Sequence, residues 1–171
     1  MTTLLLIRHG QTDYNLNGRW QGHLDVPLNE TGKAQAQALA RRLTNWPVTA
    51  VYTSDLSRAA TTAVYLAETW GLSPITDPAW RERNVGIFEG RVREELMTAY
   101  PELWANMRNG IIDIPEGEQH EALRTRAVAA YQKVISAHPD EMVAVVSHGG
   151  AINALVSAIL GFPPDHYGRL S

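Results

Sequence analysis

Short apolar runs alternate with longer amphipathic stretches along this chain. Leu4-Leu5-Leu6-Ile7 is an unbroken apolar run and reads as a short buried strand. Polar sequence containing Gly and Asn follows over 10–27, a functional loop with room for a short helix. Asn29 or Thr31 can cap a helix running to about Leu43, since Ala36, Leu39, Ala40 and Leu43 recur on one face. Residues 50–53 form a second short strand. Ser54 or Asp55 then starts a helix that reaches about Trp70 and is closed by Gly71.

Residues 74–80 read as a weak strand and a turn, and 83–90 as irregular. Helical character resumes over 92–109. Pro115-Glu116-Gly117 is a turn, and a long helix spans 118–137, ending before Pro139. Residues 142–146 are apolar without a break, the pattern of a strand covered on both faces. A last helix spans 150–160 and ends at Gly161. Alternation of this kind predicts the α/β class, a sandwich with a mostly parallel central sheet. Its ligands bind beyond the carboxyl ends of the strands.

Composition narrows the chemistry. A chain of 171 residues, 44% apolar and 19% charged, suits one compact domain with a sizeable core. The formal net charge of -3 supplies no bulk basic field for nucleic acid or for an anionic membrane. No apolar run approaches the roughly 20 residues of a membrane helix. The N-terminal run is short and lacks a basic lead-in, unlike a signal peptide. There is no cysteine, which excludes disulfides, thiolate zinc sites and a cysteine nucleophile. The expected compartment is the cytoplasm. The sequence leaves the oligomeric state open.

Four places carry candidate chemistry. Arg8-His9-Gly10 ends the first strand. Arg58 lies in the first turn of the helix after the second, Glu82 follows the third strand-like segment, and His148 ends the last strand. Strand ends and helix starts favour anions through backbone N–H groups and the helix dipole. Two arginines and two histidines meeting there hold a phosphoryl group by charge-assisted hydrogen bonds. Taken singly, Arg58 reads as a solvated helix residue, Glu82 as a surface ion pair with Arg81 or Arg83, and His148 as a hydrogen-bonded core histidine. The joint pattern outweighs these readings. The Gly149-Gly150 pair after His148 permits close backbone approach.

The blocks Leu6-Ile7-Arg8-His9-Gly10-Gln11-Thr12-Asp13-Tyr14-Asn15, Gly18-Arg19-Trp20-Gln21-Gly22, Ser54-Asp55-Leu56-Ser57-Arg58-Ala59, Glu82 with Gly86 and Glu89-Gly90, and Val146-Ser147-His148-Gly149-Gly150 together resemble the histidine phosphatase superfamily, also called phosphoglycerate-mutase-like. The resemblance covers nearly the whole chain. It implies a three-layer α/β/α fold and a two-step reaction without metal or other cofactor. By that resemblance His9 is the nucleophile and becomes phosphohistidine. Arg8, Arg58 and His148 bind the phosphoryl oxygens. Glu82 protonates the leaving oxygen and then activates water. Asn15, Gln21, Gly22, Arg83 and Gly149 complete the substrate side. The chain stops at Ser171, where members usually continue into a further strand. A single domain over 1–171 lacking that strand is therefore expected.

The family holds hydrolases and mutases. The short link from Gly110-Ile111-Ile112 to Pro115-Glu116-Gly117-Glu118 resembles its phosphatase branches, although those usually carry Ser where this chain has Gln119. Arg83 and Arg93 fall where mutases place substrate-binding cations. The leading expectation is a phosphomonoesterase whose partner is a small phosphorylated substrate. A cofactor-dependent phosphoglycerate mutase is the alternative, and a non-catalytic phosphoryl-binding regulatory protein a second one. Trp20 is the best pocket candidate among five tryptophans otherwise expected to pack. His23, His120 and His166 are expected near the pocket or in solvated loops, and His138 at a helix cap. No histidine pair has a metal-ligand spacing on a helix.

Overall fold

The structure is a computed structural model and describes residues 1–107 and 113–163. Four parallel strands form the sheet in the order β1 (Thr3–Arg8), β4 (Met142–Ser147), β2 (Val48–Thr53), β3 (Ile75–Thr76). The apolar run at 142–146 is thus central, as its unbroken pattern requires. Its alternate side chains enter opposite layers. Ala144 and Val146 pack with Ile7 and Val51 against helices α2 (Glu30–Leu43) and α3 (Ser57–Trp70). Val143 and Val145 pack with Ala50 and Tyr52 against α6 (His120–Ala137) and α7 (Gly149–Ile159). The result is the three-layer α/β/α sandwich.

Local chemistry sets the element ends. Asn29 accepts from the Gly32 N–H and caps α2. Gly71 and Gly161 follow α3 and α7 with φ of 66° and 74°, the left-handed geometry that glycine supplies without strain. The short helix foreseen in the first loop is α1 (Asp13–Leu16), opened by a capping box between Thr12 and Asn15.

The structure corrects three expectations. The helix over 92–109 is two helices, α4 (Arg93–Ala99) and α5 (Pro101–Met107). Pro101 disfavours the helical region for Tyr100, which takes φ -138° and ψ 60°. The helix after β2 starts later than Ser54, because Ser54 accepts from the Leu56 N–H and holds a turn there. Trp46 does not pack as foreseen and stays 44% exposed.

Outside the sandwich, residues 85–104 and Ile114 build a satellite core of Val85, Phe88, Leu96 and Ile114, joined by Trp20 and Trp104. It stands beside the carboxyl ends of the strands, tied to the loop after β1 because the Gly90 N–H donates to the Trp20 carbonyl and the Trp20 N–H donates to the Arg91 carbonyl.

Candidate active site

The parallel register brings the candidate residues together. Arg8 pairs with Ser147, and Thr53 with Val146, so β1, β4 and β2 end at one level. The next residues on β1 and β4 are His9 and His148, whose rings meet edge to face with centroids 5.1 Å apart. The turn after β2 leads into α3 and Arg58, which is fully buried and donates from Nε to His148 Nδ1 at 3.2 Å. It is therefore not the solvated helix residue that Arg58 taken alone suggests.

Those contacts define two tautomers. His9 Nδ1 lies 2.7 Å from the Gly10 carbonyl, which can only accept, so Nδ1 carries the proton. The Nε2 lone pair is then free. Burial pushes the His9 pKa down to about 4, and the charges of Arg58 and Arg8 add to that, against the opposing hydrogen bond to Gly10. His9 is neutral at pH 7. His148 accepts at Nδ1, so its proton sits on Nε2. Burial, then the Arg58 charge, hold it far below the usual histidine range. Its Nε2 is buried and has no hydrogen-bond partner among the described residues. A buried donor left unpaired costs about 1–3 kcal/mol, which an anionic ligand atom would recover.

The cations are arranged unequally. Arg58 donates three of its five N–H groups within the protein, to His148 and to the carbonyls of Gly22 and Leu24 at 2.8 and 2.7 Å. Arg8 is exposed, and no hydrogen bond from its guanidinium occurs among the described residues. A β-carbon at Gly149 would lie 3.5 Å from Arg8 Nε, so the guanidinium rests against the start of α7.

Glu82 reaches the same helix end. Its carboxylate accepts from the N–H groups of Gly150 at 2.9 Å and Ala151 at 3.1 Å, and from that of Arg83 at 2.8 Å. A β-carbon at Gly150 would overlap this carboxylate, which gives the second glycine of the pair its reason. Glu82 is not in a surface ion pair: Arg81 instead makes a bidentate pair with Asp55.

The remaining candidates flank this cluster. Asn15 Oδ1 lies 3.0 Å from the Thr12 hydroxyl, and so does Gln21 Oε1. Gly22 has φ 52° and presents its carbonyl to Arg58. Arg83 donates from Nε to the Glu118 carbonyl at 2.7 Å. Arg93 lies over the Trp104 ring, 5.4 Å from its centroid. Trp20 packs edge to face on Phe88. His138 is the C-cap residue of α6, and His166 lies outside the described residues.

Three positioning contacts have no local sequence signal. His23 Nε2 donates to the Glu82 carbonyl at 2.8 Å, and Arg126 Nη2 donates to the same oxygen at 2.8 Å. Asp25 accepts from the Ser57 N–H at 2.7 Å and caps α3 from a distant loop. Among the described residues, no group of three or more His, Asp or Glu side chains is placed to hold a metal ion.

Comparison with known proteins identifies the family and the fold. Residues 4–171 match the family model of the histidine phosphatase superfamily (branch 1). A probable phosphoglycerate mutase, GpmB, of Yersinia enterocolitica is 39% identical over 99% of this chain and 80% of its own. The solved structure of Bacillus stearothermophilus YhfR superposes with a TM-score of 0.93 at 31% identity, over 100% of this chain and 86% of its own. A mycobacterial glucosyl-3-phosphoglycerate phosphatase solved with VO3 superposes with a TM-score of 0.90 at 33% identity, over 98% of this chain and 85% of its own.

Proposed function

Given that the chain belongs to the histidine phosphatase superfamily (branch 1), we propose that it is a metal-independent phosphomonoesterase acting on a small phosphorylated metabolite through phosphohistidine at His9. The observation that carries this reading is the paired tautomers of His9 and His148. One ring offers a free Nε2 lone pair, and the other an unpaired Nε2–H beside it.

His9 Nε2 attacks phosphorus, and the bond to the ester oxygen breaks. His148 Nε2–H, the guanidinium of Arg8 and the two N–H groups of Arg58 outside its described bonds hold the phosphoryl oxygens as charge shifts onto the leaving group. Asn15 and the Gly149 backbone add hydrogen bonds, with Gln21 and Gly22 shaping the loop that carries them. Glu82 in its acid form protonates the leaving oxygen. As carboxylate it then takes a proton from the water that attacks phospho-His9, releasing inorganic phosphate and restoring the imidazole. Covalent capture splits one difficult displacement into two easier ones. Arg83 supports a second anionic group on the substrate, such as a carboxylate. The same reading places the enzyme in the cytoplasm.

A second reading, phosphoglycerate mutase, is favoured by the 39% identical relatives, which are probable phosphoglycerate mutases. It shares phospho-His9 and differs in where the phosphoryl group goes. The test is a panel of phosphate monoesters without bisphosphoglycerate. Release of inorganic phosphate, with acid-labile phosphate on the protein during turnover, is expected. His9→Ala abolishes both. Strict dependence on bisphosphoglycerate with isomerisation would establish the mutase, and normal turnover by His9→Ala would defeat either reading.

A further inference from the structure

The Gly117-Glu118 turn, which the sequence marks only as a branch feature, meets Arg126 beneath the segment that carries Glu82. Arg126 projects from α6 and has all five guanidinium N–H groups engaged. Nε and one Nη2 proton reach both carboxylate oxygens of Glu118, at 2.6 and 2.8 Å. Nη1 donates to the carbonyls of Ala79 at 3.0 Å and Arg81 at 2.7 Å. The other Nη2 proton goes to the Glu82 carbonyl at 2.8 Å. Glu118 holds the far side of the same segment: its N–H donates to the Asn84 carbonyl at 2.9 Å, and its carbonyl accepts from Arg83 Nε. The Arg126 and Glu118 side chains are only 22% and 17% exposed, so water competes weakly for these bonds.

A planar fork with every donor committed has one orientation. The three carbonyls it gathers fix the backbone from 79 to 82, and with it the point from which the Glu82 side chain starts. General acid catalysis needs the carboxyl within hydrogen-bond reach of the leaving oxygen, and small displacements are costly. We infer that Arg126, clamped by Glu118, is a positioning residue for Glu82. The inference rests on the reading of Glu82 as the acid–base. Arg126 touches no reacting atom and acts through the backbone of residue 82. His23 holds the same carbonyl from another direction. Loss of Arg126 therefore lets the carboxyl drift while the segment stays attached.

The test compares an alkyl phosphate, whose leaving oxygen needs a proton, with an activated nitroaryl phosphate, which needs little help. Wild type, Glu82→Gln, Arg126→Gln, Arg126→Lys and Glu118→Gln are assayed on both, with folding checked by circular dichroism. Arg126→Gln is expected to lower kcat/KM for the alkyl ester roughly tenfold or more and for the aryl ester about twofold or less. Its selectivity then follows that of Glu82→Gln. Arg126→Lys restores part of the alkyl rate, since an ammonium can still serve some of the carbonyls. Should Arg126→Gln fail to fold, Arg126→Lys and Glu118→Gln carry the same comparison, each expected to lose more on the alkyl ester. Equal losses on both esters, or no loss, in variants that fold would overturn the positioning role while the Glu82 dependence stands. Absence of any leaving-group dependence in Glu82→Gln would instead overturn the acid–base reading, and this inference with it.

Discussion

At the scale of single residues, the site depends on which nitrogen of each imidazole is committed. His9 Nδ1–H donates to the Gly10 carbonyl, and Arg58 Nε–H donates to His148 Nδ1, so two chemically identical rings present opposite faces. Gly150 shows how much can rest on a missing side chain. Its bare Cα leaves room for the Glu82 carboxylate, which accepts from the Gly150 and Ala151 N–H groups, and a methyl group there would displace that carboxylate. Elsewhere in a helix, Gly→Ala gains up to about 1 kcal/mol of helix propensity. Gly150→Ala is therefore expected to keep or raise stability while lowering turnover of alkyl phosphates roughly tenfold or more. Thermal melts and initial rates on the same protein check this, and a fully active variant would refute the placement of Glu82.

At the scale of elements, backbone contact decides more than propensity. Helix α2 approaches the loop after β1 so closely that a β-carbon at Gly32 would overlap the Gln11 carbonyl, and one at Gly10 would overlap that of Gly32. Neither obstacle is a flexible side chain that can rotate away. Gly32→Ala is expected to destabilise the fold by about 1–3 kcal/mol, by the overpacking it forces. Urea denaturation measures this, and a neutral result would show that the loop and helix separate easily. The break between α4 and α5 comes from Pro101 and was open to reading from the sequence. The long-range cap of α3 by Asp25 was not, because its partner Ser57 is far away in the chain.

At the scale of the whole molecule, burying two neutral histidines couples the site to folding. The His9 pKa is about 4 in the folded protein against 6.5 for the free side chain, and that of His148 is lowered further still. Between those values the unfolded chain binds more protons than the folded one. Stability is thus complete above pH 6.5 and falls as pH drops toward 4. For His9 alone the loss across that window is about 3 kcal/mol. Denaturation at pH 7 and pH 5 should show the decline, and His9→Asn, which does not titrate, should show a shallower one. The same slope in both proteins would mean that His9 is not held neutral by burial.

By itself the sequence determined the α/β class, the central strand at 142–146, most helices to within a few residues, and the identities of Arg8, His9, Arg58, Glu82 and His148 as the residues to watch. These were legible because they depend on local facts: apolar period, capping residues, and short motifs at strand ends. Only the tertiary structure decided how those residues are used. The parallel register set His9 against His148, packing buried Arg58 and spent much of its charge on the Gly22 and Leu24 carbonyls, and α6 supplied Arg126 to the back of the Glu82 segment. Each is a contact between groups distant in the chain, and its geometry follows from which faces the folded layers bring together, which no local spacing records.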